Sequence, residues 1–345
     1  MKEAEKDTTL QIVFSANASI SSLKVPAGFE NAQILPNTCG RGYGLFTLSD
    51  KQLTGLLNYL QQVQDGTARF ALLSLLHENY LACKISDTDW LHALLQALPQ
   101  EKDALTASTL TSYIGEPLRQ LQGQERAEVE EQLWALSSKH PLYSTRVQIL
   151  RSLSSQAQSQ GVTDHLYSLW ENQSNELLGL TDYMTLSYEL AIRMPSQAKQ
   201  ILDTQRARIE NPDRLRQFDF VSRAAVSDTL ALDTLFNSLI TNPQARRIEP
   251  WKRQLLSLLN HPLREAYSVK YITPALEALE DVQRTGDIFF PGHWCTAVLN
   301  GHRSQDAYQE VKNFIDTHPD YLQLRLNKIL LGSYGLFRVN GNRLF

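Results

Sequence analysis

The sequence predicts a mainly α-helical protein, an array of helix pairs preceded by a few β-strands. Three observations carry that expectation. Near residue 48 the apolar pattern changes from short β-branched runs to helical spacing. From the third helical pattern to residue 338 no convincing strand recurs. Prolines stand again and again where helical patterns begin. At 345 residues the chain exceeds the size at which one compact core normally stops growing. Two domains or one elongated array are the natural outcomes.

Residues 1–48 form the first unit. Leu10–Phe14 and Ile20–Val25 are short, apolar and β-branched. Ile34-Leu35-Pro36 leads into the turn Asn37–Gly42, and Tyr43–Leu48 resumes a strand-like pattern. About three or four strands bury a face poorly by themselves. They are expected to be the end of a truncated β-sandwich whose earlier strands lie upstream.

Residues 49–345 form the helical unit. Ser49 is a suitable N-cap, with Asp50 in the first turn. Leu53, Leu56, Leu57, Leu60 and Val63 follow at helical spacing. Asp65-Gly66 punctuates, Arg69–Cys83 predicts a second helix and Asp87–Leu98 a third. Pro117, Pro141, Pro212, Pro243, Pro262 and Pro319 are read as helix starts, and His140, His261 and His318, each before a proline, as helix-start residues. Usual helix and loop lengths give about fourteen to sixteen helices. The architecture expected is a right-handed α-α superhelix, like armadillo or HEAT solenoids but without a readable repeat.

Local chemistry is sparse. No two histidines stand four apart, so the two-histidine zinc motif is absent. His77-Glu78 begins like that motif, but Leu81 occupies the second ligand position. His293, Cys295 and His302 match no zinc spacing. Neither a nucleophile elbow nor a phosphate-binding loop is present. Glu130-Glu131 reads as a solvated helix face. A net charge of -4 argues against a nucleic-acid partner. No apolar run reaches the ~18 residues that suggest a membrane span, and MKEAEKDTT has no signal-peptide core. Cys39, Cys83 and Cys295 are expected as free thiols. The densest cluster of ligand-capable groups is the glycine-bounded loop from Arg284 to Trp294. There Arg284, His293 and Trp294 are candidates for a ligand-facing surface, Arg284 because its planar fork suits carboxylates.

Several segments resemble one known family. Arg247-Ile-Glu-Pro-Trp251, Asn260-His-Pro-Leu-Arg264, Lys270-Tyr-Ile-Thr-Pro274, Arg284-Thr-Gly-Asp-Ile-Phe-Phe-Pro291, His318-Pro-Asp-Tyr321 and Leu324–Leu330 are similar to the C-terminal helical domain of bacterial zinc aminopeptidases of the aminopeptidase N family. Leu35-Pro-Asn37 through Gly42-Tyr-Gly44 resembles the last strands of that family's β-sandwich. The resemblance implies a zinc-bearing catalytic domain upstream as partner, with peptides as substrates. It implies no catalytic residue, metal ligand or cofactor within this chain. The helical part is expected to enclose the active-site chamber and limit which peptides enter. A freestanding solenoid that binds a protein or peptide is the alternative.

Overall fold

A computed structural model describes residues 27–28, 34–38, 40, 42, 44, 46–173, 175–242, 249–318, 321 and 323–340. Among them no strand occurs. The strand readings at Leu10–Phe14 and Ile20–Val25 lie outside the described residues, as does Tyr43. The helices are α1 (Asp50–Tyr59), α2 (Gly66–Leu81), α3 (Asp87–Ala97), α4 (Ala104–Leu118), α5 (Gly123–Lys139), α6 (Tyr143–Gln156), α7 (Gln160–Asn172), α8 (Leu180–Arg193), α9 (Ala198–Ala207) and α10 (Pro212–Val221). They continue with α11 (Thr229–Thr241), α12 (Glu249–Leu259), α13 (Glu265–Ser268), α14 (Ile272–Glu277), α15 (Leu279–Thr285), α16 (Phe290–Leu299), α17 (Gln305–Thr317), α18 (Gln323–Gly332) and α19 (Tyr334–Val339).

Capping fixes the early boundaries. The Gln52 side chain accepts from the Ser49 backbone N–H at 3.1 Å, which anchors α1. Helix α2 begins three residues before the position expected, because Asp65 accepts from the Ala68 N–H at 2.8 Å. It stops before Cys83, which has left-handed backbone with φ 57. Asn211 caps α10, accepting from the Asp213 and Arg214 N–H groups, with Pro212 at the first helical position as expected.

One of the proline expectations needs correction. Pro117 lies in the last turn of α4 and ends that helix. The ladder bond that Pro117 cannot make is outweighed by what holds the helix elsewhere, the Asp103 cap and buried Leu110 and Ile114. The rings of His140 and His261 do accept from the N–H two residues on, at 3.1 Å each. His318 follows α17 and its Nδ1 bonds back to the Phe314 carbonyl at 2.8 Å; Pro319 and Asp320 after it lie outside the described residues. The stretch 262–285 is broken into short 3-10 and α pieces. Pro262 and Pro274 interrupt the backbone hydrogen-bond ladder there.

Helices pack in two layers. Helices α4, α6 and α8 lie side by side, as do α12, α16 and α18. Against the first set pack α3, α5 and α7; against the second pack α10 and α14, with α17 on α14. Two apolar cores result, and α8 serves both. Tyr183, Leu186 and Leu190 belong to the core of α1–α9. Met184, Tyr188, Ala191 and Ile192 belong to the core that runs on to α19.

The last helices return to the first. Arg303 holds Glu116 of α4 through 2.9 and 3.0 Å bonds. Tyr334 donates to the Leu81 carbonyl at 2.8 Å. Arg338 reaches Asp87 and the Ile85 carbonyl, both at 3.1 Å. The two apolar cores remain separate clusters at this junction, so charged hydrogen bonds hold it.

Candidate functional site

The three candidate residues of the Arg284–Trp294 loop lie in different settings. Arg284 is exposed and pairs with Asp281 on its own helix at 2.8 Å. Trp294 is fully buried, its indole N–H donating to the Ala275 carbonyl at 3.0 Å. It therefore presents no surface to a chamber; burial of its large ring in the core outweighs exposure at a wall. His293 is exposed. It sits three residues before Thr296 on α16, so the two share a helix face. The tip of the loop is apolar and exposed, with Ile288 at 81% and Phe289 at 70%.

The groups that do converge lie at the C-terminal ends of α4, α6, α12 and α16. There a cavity of about 220 Å³ is lined by residues that include Arg119, Gln156, Glu189, Ser257, His261 and Asn300. Its construction follows from a rule repeated along the array. The last carbonyls of a helix lack intrahelical donors and carry partial negative charge. An arginine from another element supplies the donors. Arg69 does the same for two loop carbonyls beyond the end of α1, those of Val63 and Gln64, at 2.9 and 3.2 Å. Arg126 bonds those of Leu118 and Gln156 at 3.0 and 2.6 Å. Arg193 bonds Ser154 at 2.9 Å, and Arg208 bonds Trp170 and Glu171 at 2.9 and 2.8 Å.

Carboxylates then neutralise most of these cations. Arg126 and Glu130 pair at 2.7 Å, and both are buried. Glu130 also accepts from the backbone N–H groups of Gln158 and Ser159, at the start of α7. The reading of Glu130 as a solvated residue is thus overturned: it compensates a buried guanidinium and a helix N-terminus together. Glu131, its neighbour, is half exposed and lies 3.5 Å from His165. Glu189 accepts from Arg193 at 3.2 Å and faces the His261 Nε2 at 3.0 Å. Burial lowers the pKa of Arg193.

The remaining histidines have structural partners. His77 stacks on Tyr113, ring centres 3.6 Å apart. Burial, then the Arg338 charge, lowers its pKa to about 4. His302 is fully buried beside Asn260 Oδ1 at 3.2 Å, and burial lowers it to about 4 as well. Cys295 is buried, so its thiol is pushed up to about 12, whereas Cys83 is exposed; both are free thiols. Among the described residues no three His, Cys, Asp or Glu side chains form a metal-binding group. No described helix is long and apolar enough to cross a membrane.

Little in the sequence points to this cavity. Arg126 and Glu130, four apart, were a visible helix pair. The approach of Arg119 to Asn300 spans 181 residues and left no local signal. No protein-family model matches the chain, and no curated protein is similar to it.

Proposed function

We propose that this chain is the non-catalytic C-terminal region of a zinc metallo-aminopeptidase that removes N-terminal residues from peptides. In that reading the helices wind as a right-handed superhelix behind the last strands of a β-sandwich. They enclose the active-site chamber and limit substrate access. Zinc and the catalytic residues belong to the upstream domain. There the metal polarises the scissile carbonyl and activates water.

One observation supports this reading above the others: the array closes on itself. A freestanding solenoid that binds peptides uses an extended concave surface along its length. Here α4 meets the turn after α16 through Arg119 and Arg303, and α19 meets α2 and the start of α3. A closed wall suits enclosure better than it suits an open groove. The segments between residues 247 and 330 that are similar to aminopeptidase N support it independently. The exposed Ile288–Phe289 tip offers an apolar contact for the catalytic domain.

The test begins with the gene upstream of Met1. An open frame that encodes the two-histidine zinc motif is expected. The longer product should hydrolyse aminoacyl anilides in a zinc-dependent way, and the 345-residue chain alone should not. Arg303→Ala in the longer product should raise turnover of long peptides relative to short ones by loosening the wall. Turnover by the isolated chain, or an upstream frame without the zinc motif, would sink the proposal; the latter would favour the freestanding scaffold.

A further inference from the structure

The cavity at the helix ends holds an imbalance of charge. Three arginines beside it have carboxylates: Arg126 has Glu130, Arg193 has Glu189 and Arg303 has Glu116. Arg119 has none among the described residues. Its one side-chain hydrogen bond there runs from Nη1 to the Asn300 carbonyl at 2.8 Å. Burial, then the Arg303 charge, lowers its pKa to about 10, against the opposing pull of the Glu116 carboxylate. A guanidinium has five N–H donors, so most of its donors remain available.

The converging helix ends carry partial negative charge, which would oppose an anion. Their carbonyls are already engaged. Leu118 and Gln156 accept from Arg126, and Asn300 accepts from both Arg119 and Arg303. The walls add one carboxylate, Glu189, which Arg193 and His261 engage at 3.2 and 3.0 Å, and neutral polar groups. Among the described residues the side chains of Ser257 and Gln158, both on the cavity wall, make no hydrogen bond. Gln156 Oε1 is buried without a partner. A volume of about 220 Å³ is many times the ~15 Å³ that one water requires.

We propose that this cavity is a binding site for a small oxyanion, held by the Arg119 guanidinium with help from the Ser257 hydroxyl and the Gln158 amide. The ligand class is a carboxylate or a phosphate, both matched by the guanidinium fork. The site stands independently of the aminopeptidase reading.

Isothermal titration of the 345-residue chain with inorganic phosphate and, separately, with succinate tests it. One of them is expected to bind with Kd below about 1 mM. Phosphate binding alone identifies an inorganic ligand; succinate binding alone identifies an organic acid. Arg119→Gln should weaken that binding about tenfold or more, and Arg119→Lys less. Ser257→Asp, at an exposed position of α12, places a carboxylate on the same wall. It should abolish binding and raise Tm, and it carries the test if Arg119→Gln fails to fold. The proposal is overturned if neither anion binds, if Arg119→Gln binds as tightly as the parent, or if Ser257→Asp lowers Tm and leaves binding intact.

Discussion

The guanidinium carbon of Arg338 stands 3.7 Å from the centre of the Tyr80 ring. The two residues are 258 positions apart in sequence. Arg338 also donates to the backbone carbonyls of Tyr80 and Ile85 and to Asp87 Oδ1. Tyr80 donates its hydroxyl to the same Asp87 oxygen at 2.7 Å. One carboxylate, one ring and one cation thus join the end of the chain to the start of the helical unit. The cation–π contact and the charge-assisted bonds act together, because Arg338 is nearly buried.

Arg338→Ala is therefore expected to cost about 3 kcal/mol, since it strands Asp87 and two carbonyls. Hydrogen exchange should quicken first in α2, α3 and α19. Loss of protection spread evenly over the chain would contradict a local junction. Arg338→Lys should recover only part of the stability, because an ammonium lacks the planar fork.

Glu130 is the most consequential carboxylate in the structure. It neutralises Arg126 and accepts two N–H groups at the head of α7. Glu130→Ala is expected to lower stability by about 3–5 kcal/mol, because a buried guanidinium loses its counter-charge. Urea unfolding measures this. Glu131→Ala, one residue on and half exposed, should change stability by less than about 1 kcal/mol. Equal effects at the two positions would refute the assignment.

Gly301 is set by close approach. A Cβ there would run into the backbone carbonyl of Asn260, which lies at the end of α12. Gly301→Ala should force α12 and α16 apart and cost about 1–3 kcal/mol. A thermal melt unchanged from the parent would show that the two turns separate freely. The same substitution at Gly292, where nothing stands within 4 Å, is the control.

Two histidines, half-buried His77 and fully buried His302, contribute to the acid response. His77 and His302 have folded pKa values of about 4, below their ordinary 6.5. The fold favours their neutral rings. Their contribution to stability is complete above about pH 6.5 and is lost as pH falls towards 4. Tm should decline across that window. His77→Phe keeps a ring against Tyr113 and removes one titration, so its decline should be shallower. An identical slope in the variant would remove His77 from the account.

Thiol chemistry should distinguish the two described cysteines. Cys83 is exposed, while Cys295 is buried with its pKa near 12. Site mapping after brief alkylation of the native chain should find Cys83 modified and Cys295 untouched. Modification of Cys295 at a comparable rate would mean that α16 opens readily.

The sequence determined the local structure well. Its 3.6-residue periodicity placed α1, α2 and α3, and Asn211-Pro212 placed the start of α10. These features depend on neighbours within a few positions, so they can be read along the chain. It misplaced Pro117 and the fate of Glu130, because each depends on what packs from elsewhere. A proline tolerated at a helix end and a carboxylate buried against an arginine look ordinary in sequence. The loop from Arg284 to Trp294 drew notice by composition, yet Trp294 became core. Only the tertiary structure decided that the array closes on itself, that α8 divides two apolar cores, and that Arg119 lines a cavity without an ion-pair partner of its own among the described residues. Those outcomes depend on contacts between residues up to 258 positions apart, such as Tyr80 and Arg338, and no local pattern encodes them.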